Sequence, residues 1–145
     1  MKKKTVIYLI VFVIAIVAIS IFLNTRANNQ QSSATNETTE GSKAILEVSE
    51  NNFENEVIKS NKKVLVDFYA IWCMPCRVLK PRINEIAVEH NEIKVVKVDV
   101  DKAPNLSNKY GIVSIPTVVI FENGEEINRV VGAVTKEKIL EICGI

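Results

Sequence analysis

Residues 64–76 read Val64-Leu65-Val66-Asp67-Phe68-Tyr69-Ala70-Ile71-Trp72-Cys73-Met74-Pro75-Cys76. Val64 to Ala70 is a run of strand length, apolar except for Asp67, the pattern of a strand covered on both faces. Beyond it Leu79, Ile83, Ile86 and Ala87 recur at helical spacing, which predicts a helix over about 74–89 with a kink at Pro81. The two cysteines therefore fall where a buried strand hands over to a helix.

That placement carries chemistry. A helix N-terminus presents unpaired N–H groups and about half a positive charge. Both stabilise a thiolate, the nucleophile of disulfide exchange. The spacing predicts Cys73 at the helix end with its sulfur exposed, and Cys76 one turn in and more deeply buried. Cys73 then attacks a substrate disulfide and Cys76 resolves the mixed disulfide. Other readings of the pair are weaker. A two-residue loop constrains an unfolded chain little, so a purely structural disulfide gains little there. A zinc site needs two more ligands, and only His90 and Cys143 remain, neither with paired spacing. No metal is expected. Cys143 is expected to pack on the last helix beside Ile139 and Leu140, and His90 to be solvated.

Outward from this stretch the apolar period changes in a readable order. Ala44–Val48 is a short strand, and Ser49 is an N-cap for a helix over about 50–59 with Phe53, Val57 and Ile58 inward. Ile93–Val100 is the next strand, followed by a short helix over 103–110 closed by Gly111. Residues 117–122 and 126–131 form two strands joined across Asn123-Gly124, a strong hairpin signal. Thr135 caps a last helix over 136–143. The order βαβαβαββα predicts an α/β domain with a central mixed sheet flanked by helices.

Several of these segments resemble the thioredoxin family: Val66-Asp67-Phe68-Tyr69-Ala70 with Trp72-Cys73-Met74-Pro75-Cys76, then Tyr110-Gly111-Ile112, Ile115-Pro116-Thr117 and Phe121-Glu122-Asn123-Gly124. They stand in the family's order and spacing across residues 44–145, with no room for the central insertion of its cytochrome-maturation branch. The resemblance implies the thioredoxin fold and four catalytic residues: Cys73, Cys76, Asp67 as the buried base that helps deprotonate Cys76, and Lys97 as the partner of that aspartate. Burial should raise the Asp67 pKa towards the working range. The resemblance also implies a substrate groove bordered by Trp72, Met74, Pro75, Ile115, Pro116 and Gly132. Ile115-Pro116 resembles the family's cis-proline loop, whose backbone pairs with the substrate peptide like an added strand. No cofactor is implied, because the dithiol is itself the electron carrier. Thioredoxin proper usually has Gly-Pro between its cysteines, and Met74-Pro75 here leaves the direction of electron flow open.

The rest of the chain bears on location. Positions 5–23 hold 17 apolar residues of 19, and positions 24–43 only two of 20. Nineteen helical residues reach roughly 28 Å, enough for a bilayer core of about 30 Å. Lys2, Lys3 and Lys4 precede the stretch and should stay cytoplasmic. The expected organisation is a basic start over 1–4, a transmembrane signal-anchor over 5–23, a flexible polar linker over 24–43 and one domain over 44–145 outside the membrane. Ala18-Ile19-Ser20 is the nearest match to a signal-peptide cleavage site, but it lies inside the apolar run.

The domain carries 13 basic and 15 acidic residues with signs mixed, which is no footprint for nucleic acid. A monomer that reduces disulfides of exported proteins, supplied by a membrane electron donor, is the expected reading. An extracytoplasmic oxidase or isomerase is the near alternative. A non-catalytic binding module is the distant one, since both cysteines and the proline loop are intact.

Overall fold

The structure, a computed structural model, describes residues 45–145. The signal-anchor and linker expected before residue 44 lie outside the described residues, and no described helix is long and apolar enough to cross a membrane.

Five strands, β1 (Leu46–Glu47), β2 (Val64–Tyr69), β3 (Lys94–Asp99), β4 (Thr117–Glu122) and β5 (Glu125–Val131), form one sheet in the order β1-β3-β2-β4-β5. β1 and β2 run parallel to β3, while β4 is antiparallel to both β2 and β5. The sheet is mixed, and β2 lies at its centre.

Alternation along the strands sorts the core into two layers. Val64, Val66 and Phe68 of β2 join Val96, Val98, Val119 and Phe121 on one face, under Phe53, Val57 and Leu106. Leu65 joins Val95, Val118 and Ile120 on the other, under helices α1 (Met74–Glu89) and α3 (Lys136–Cys143). By parity Asp67 belongs to this second face. It follows Leu65 along the strand and comes under the beginning of α1, where Cys76 lies.

The helices follow their sequence signals, with one exception. α1 continues through Pro81, whose ring leaves the Arg77 carbonyl without its usual helical donor. α2 (Pro104–Lys109) is short and is followed by Gly111 at φ +60°. The Thr135 side chain accepts the Lys138 N–H at 3.3 Å, and left-handed Gly144 ends α3.

The exception is the helix expected over 50–59. Only a five-residue π-helical turn forms, Glu54–Ile58, with the Lys59 N–H donating to the Glu54 carbonyl at 2.9 Å. Ser49 does not cap it with its hydroxyl. Instead the Asn52 side-chain oxygen Oδ1 accepts both the Ser49 N–H at 2.7 Å and the Ser49 hydroxyl at 3.1 Å. Aromatic packing accounts for the wider turn. Phe53 sits 5.2 Å from the Tyr110 ring and 5.7 Å from Phe121, and Val57 and Ile58 pack inward beside it as expected.

β4 and β5 close through Asn123 and Gly124, both at positive φ as a two-residue hairpin turn requires. Gly124 has a second reason. A Cβ there would stand 2.8 Å from the Ile58 carbonyl oxygen.

Cys143 packs among Ile139 and Ile142 at 1% exposure, and burial pushes its thiol pKa up to about 11. His90 is not simply solvated, since its Nδ1 lies 2.8 Å from Glu92 Oε1.

Candidate active site

Cys73 is the residue on which α1 begins. Its extended backbone makes it the N-cap, and its sulfur accepts the Cys76 N–H at 3.2 Å. Pro75 occupies the first turn, where its missing N–H costs no helical bond. The Cys73 N–H donates to the Ala70 carbonyl at 3.2 Å, and its carbonyl accepts the Arg77 N–H at 3.3 Å. Both sides of the residue are thus fixed, one to the end of the strand and the other to the first helical turn.

Cys73 and Cys76 are joined in a disulfide. The expectation of an open Cys73 and a more hidden Cys76 does not hold in this oxidised state. Cys73 is 3% exposed and Cys76 6%, because both pack with Ala70 against Tyr69, Val100 and Ile115. The proline loop brings Ile115 there, and its Ile115-Pro116 bond is cis. The Gly132 N–H donates to the Pro116 carbonyl at 2.8 Å, and nothing lies within 4 Å of where a Gly132 Cβ would stand. Among the described residues no partner takes the Ile115 N–H or C=O. The Ile115 N–H and carbonyl, on a residue packed against the disulfide, are therefore open to a substrate strand.

Around this backbone the surface is apolar and open. Trp72 and Met74 are each 65% exposed, as are Ile71 and Val113 at 67% and 96%. Ile71 and Val113 were not singled out in the sequence, where they read as ordinary apolar residues. The Trp72 indole N–H donates to Asp101 Oδ2 at 2.7 Å, which fixes the ring beside the cysteines while leaving its face free.

Asp67 lies behind the disulfide at 7% exposure, and its Oδ1 has no hydrogen-bond partner. A cavity of about 550 Å³ has Asp67, Cys76, Arg77, Lys80 and Lys97 among its lining residues. Burial pushes the Asp67 pKa up to about 7, opposed by the Lys97 charge. A carboxyl that exchanges its proton near neutrality, in the same cavity as a cysteine, is suited to proton transfer.

Lys97 sits opposite Asp67 in the register of β2 and β3. It makes no ion pair with Asp67 within 4.0 Å. Its Nζ lies 3.5 Å from Glu47 Oε2 on β1 and 5.4 Å from the centre of the Tyr69 ring. The structure thus brings together Cys73, Cys76, Asp67, Lys97 and the proline loop, but it gives Lys97 a nearer partner than Asp67. Glu47 and Tyr69 were not read from the sequence as part of this arrangement. The only available signal was their parity on strands whose adjacency the sequence does not state.

The thioredoxin family model matches residues 44–143. The chain is 49% identical over 98 residues to the thioredoxin of Griffithsia pacifica, covering 67% of this chain and 90% of that one. It is 46% identical over 97 residues to the thioredoxin of Pyropia yezoensis, covering 66% and 91%. The crystal structure of the Malassezia sympodialis thioredoxin superposes with a TM-score of 0.65 at 28% identity, covering 75% of this chain and 97% of that one. With this match extending over the strand, the cysteine pair and the proline loop, the chain belongs to the thioredoxin family and is a protein-disulfide oxidoreductase.

Proposed function

We propose that the protein is a membrane-tethered reductase of disulfides in exported or membrane proteins, working as a monomer on the outer side of a cytoplasmic membrane. The observation that carries the chemistry is the juxtaposition of an N-capping disulfide with a partnerless buried carboxylate in one cavity. The tether rests on the sequence alone: three lysines followed by an apolar stretch long enough to span a bilayer.

In the reduced protein the Cys73 thiolate attacks one sulfur of the substrate disulfide and expels the other as a thiolate. Backbone N–H groups at the start of α1 stabilise the attacking charge. The substrate strand lies along the Ile115 backbone, between Trp72, Met74 and Pro75 on one side and Pro116 and Gly132 on the other. Asp67 takes the Cys76 proton through water in the cavity. The Cys76 thiolate then attacks the Cys73 sulfur and releases the second substrate thiol. The Cys73–Cys76 disulfide that results has given two electrons to the substrate, and a membrane donor returns them with two protons. No metal or organic cofactor takes part.

Met74-Pro75 favours a second reading, in which the pair is retuned towards oxidation or isomerisation. The reduction potential of the full-length chain, equilibrated against defined thiol buffers, separates the two. A reductase should lie near about −270 mV, whereas a value between about −120 and −180 mV would reverse the assigned direction.

A further inference from the structure

Glu47 belongs to a two-residue edge strand at the border of the sheet and carries no obvious chemistry of its own. Its carboxylate is nevertheless the hub of a charged cluster. Oε1 accepts from Lys102 Nζ at 2.8 Å, and Oε2 accepts from the Tyr69 hydroxyl at 3.1 Å and lies 3.5 Å from Lys97 Nζ. Lys102, which also pairs with Asp99 at 3.5 Å, fixes one oxygen, so the other is held ready for Lys97.

Lys97 is the cation that acts on Asp67. Val118 of β4 pairs with Asp67, and the charged or titratable side chains of α1 that line the same cavity are Cys76, Arg77 and Lys80. The Lys97 charge lowers the Asp67 pKa against the larger effect of burial. Lys97 itself faces Glu47 from β1 and both Tyr69 and Asp67 from β2. Its ammonium has two carboxylates to choose between, and it sides with Glu47.

We infer that Glu47 is a positioning residue for proton transfer: it holds the Lys97 ammonium away from Asp67 and thereby sets the pH at which Asp67 accepts the Cys76 proton. This rests on Asp67 being the base of the reaction. Glu47 stays ionised throughout the range in which Asp67 titrates, since the Lys102 hydrogen bond holds its pKa below the usual carboxylate value. Tyr69 remains a donor there, because burial and the neighbouring Glu47 push its pKa up to about 12. The hold on Lys97 is therefore constant while Asp67 changes state.

Three variants of the full chain, made with carbon-13-labelled aspartate and kept oxidised, test the inference by NMR titration of the Asp67 carboxyl. Glu47→Gln keeps the side-chain shape, removes the competing charge and frees Lys97 to move towards Asp67. The Asp67 midpoint should fall by about half a pH unit. A unit charge that moves an ångström or two closer from beyond ion-pair contact, at an effective dielectric near 20, has an effect of about that size. Lys97→Met should raise the midpoint. The double variant Glu47→Gln/Lys97→Met should match Lys97→Met alone, because Glu47 acts only through the lysine.

An unchanged or raised midpoint in Glu47→Gln overturns the inference. So does an unchanged midpoint in Lys97→Met, or a Glu47→Gln shift that persists without Lys97. The carboxyl is read directly, with no substrate turned over. A failure of the reductase reading in the potential measurement is therefore separate from a failure here.

Discussion

Two aspartates are buried on adjacent strands of this sheet, and they are treated in opposite ways. Asp99, at the end of β3, is 3% exposed. Its Oδ1 accepts the Asp101 N–H at 3.1 Å, and its Oδ2 pairs with Lys102 at 3.5 Å. Asp67, in β2, is 7% exposed, and its Oδ1 has no partner. Asp99 shapes the turn into α2 and, through Asp101, fixes the platform on which Trp72 rests. Asp67 holds nothing in place. Its unmet demand for a proton or a donor is what makes it useful to Cys76. Burial therefore does not mark a functional carboxylate, whereas burial without a partner does.

The contrast breaks most sharply in stability. Asp67 rises from 3.8 to about 7 on folding. From about pH 4 to pH 7 the unfolded chain has already released this proton and the folded chain has not, so stability falls as pH rises. Replacement by Asn should remove that loss. At about 1.4 kcal/mol per unit, Asp67→Asn should be more stable than the parent by on the order of 4 kcal/mol above pH 8, and little different below pH 4. Denaturant unfolding at the two pH values checks this.

The next effect is kinetic. Without its proton acceptor, Asp67→Asn should resolve the mixed disulfide about a hundredfold more slowly at neutral pH, and the rise in rate through pH 7 should flatten. Single-turnover quenching with a disulfide peptide reads that step. If the rise survives, Asp67 is a passive buried carboxylate and the comparison collapses.

The smallest expected change falls on Asp99. Asp99→Ala should cost about 2 kcal/mol at neutral pH, the usual loss for a hydrogen bond to a charged group. The pH dependence of resolution should stay as it was. Thermal melts and the same quench assay measure both, and a gain in stability would place Asp99 with Asp67.

The sequence made most of this legible where the signal was local. The Val64–Ala70 run, the cysteines at a helix start, the Asn123-Gly124 hairpin and the Thr135 cap depend on neighbours along the chain, and each forms as expected. What escaped depends on residues far apart in sequence. Glu47 reaches Lys97 only because β1 joins the far edge of β3. Cys73 is hidden because Val100 and the proline loop's Ile115, distant along the chain, pack against it. The turn at Glu54–Ile58 widens because Phe53 meets Tyr110 and Phe121, contacts that no helical period encodes. Asp99 drew no reading of its own from the sequence, and only its partners distinguish it from Asp67.

The close approach of Gly124 to the Ile58 carbonyl bears on how the molecule can be engineered. Hairpin tips are the usual place to insert an epitope or a binding peptide, because exposed turns tolerate extra residues. This tip is pressed against the π-helical turn. With 2.8 Å between the position of a Cβ and that oxygen, even alanine has no room without a shift of backbone. A graft between β4 and β5 would pry the hairpin from the N-terminal turn, and with it Phe121 from Phe53. The loop that looks most available for display is among the least permissive.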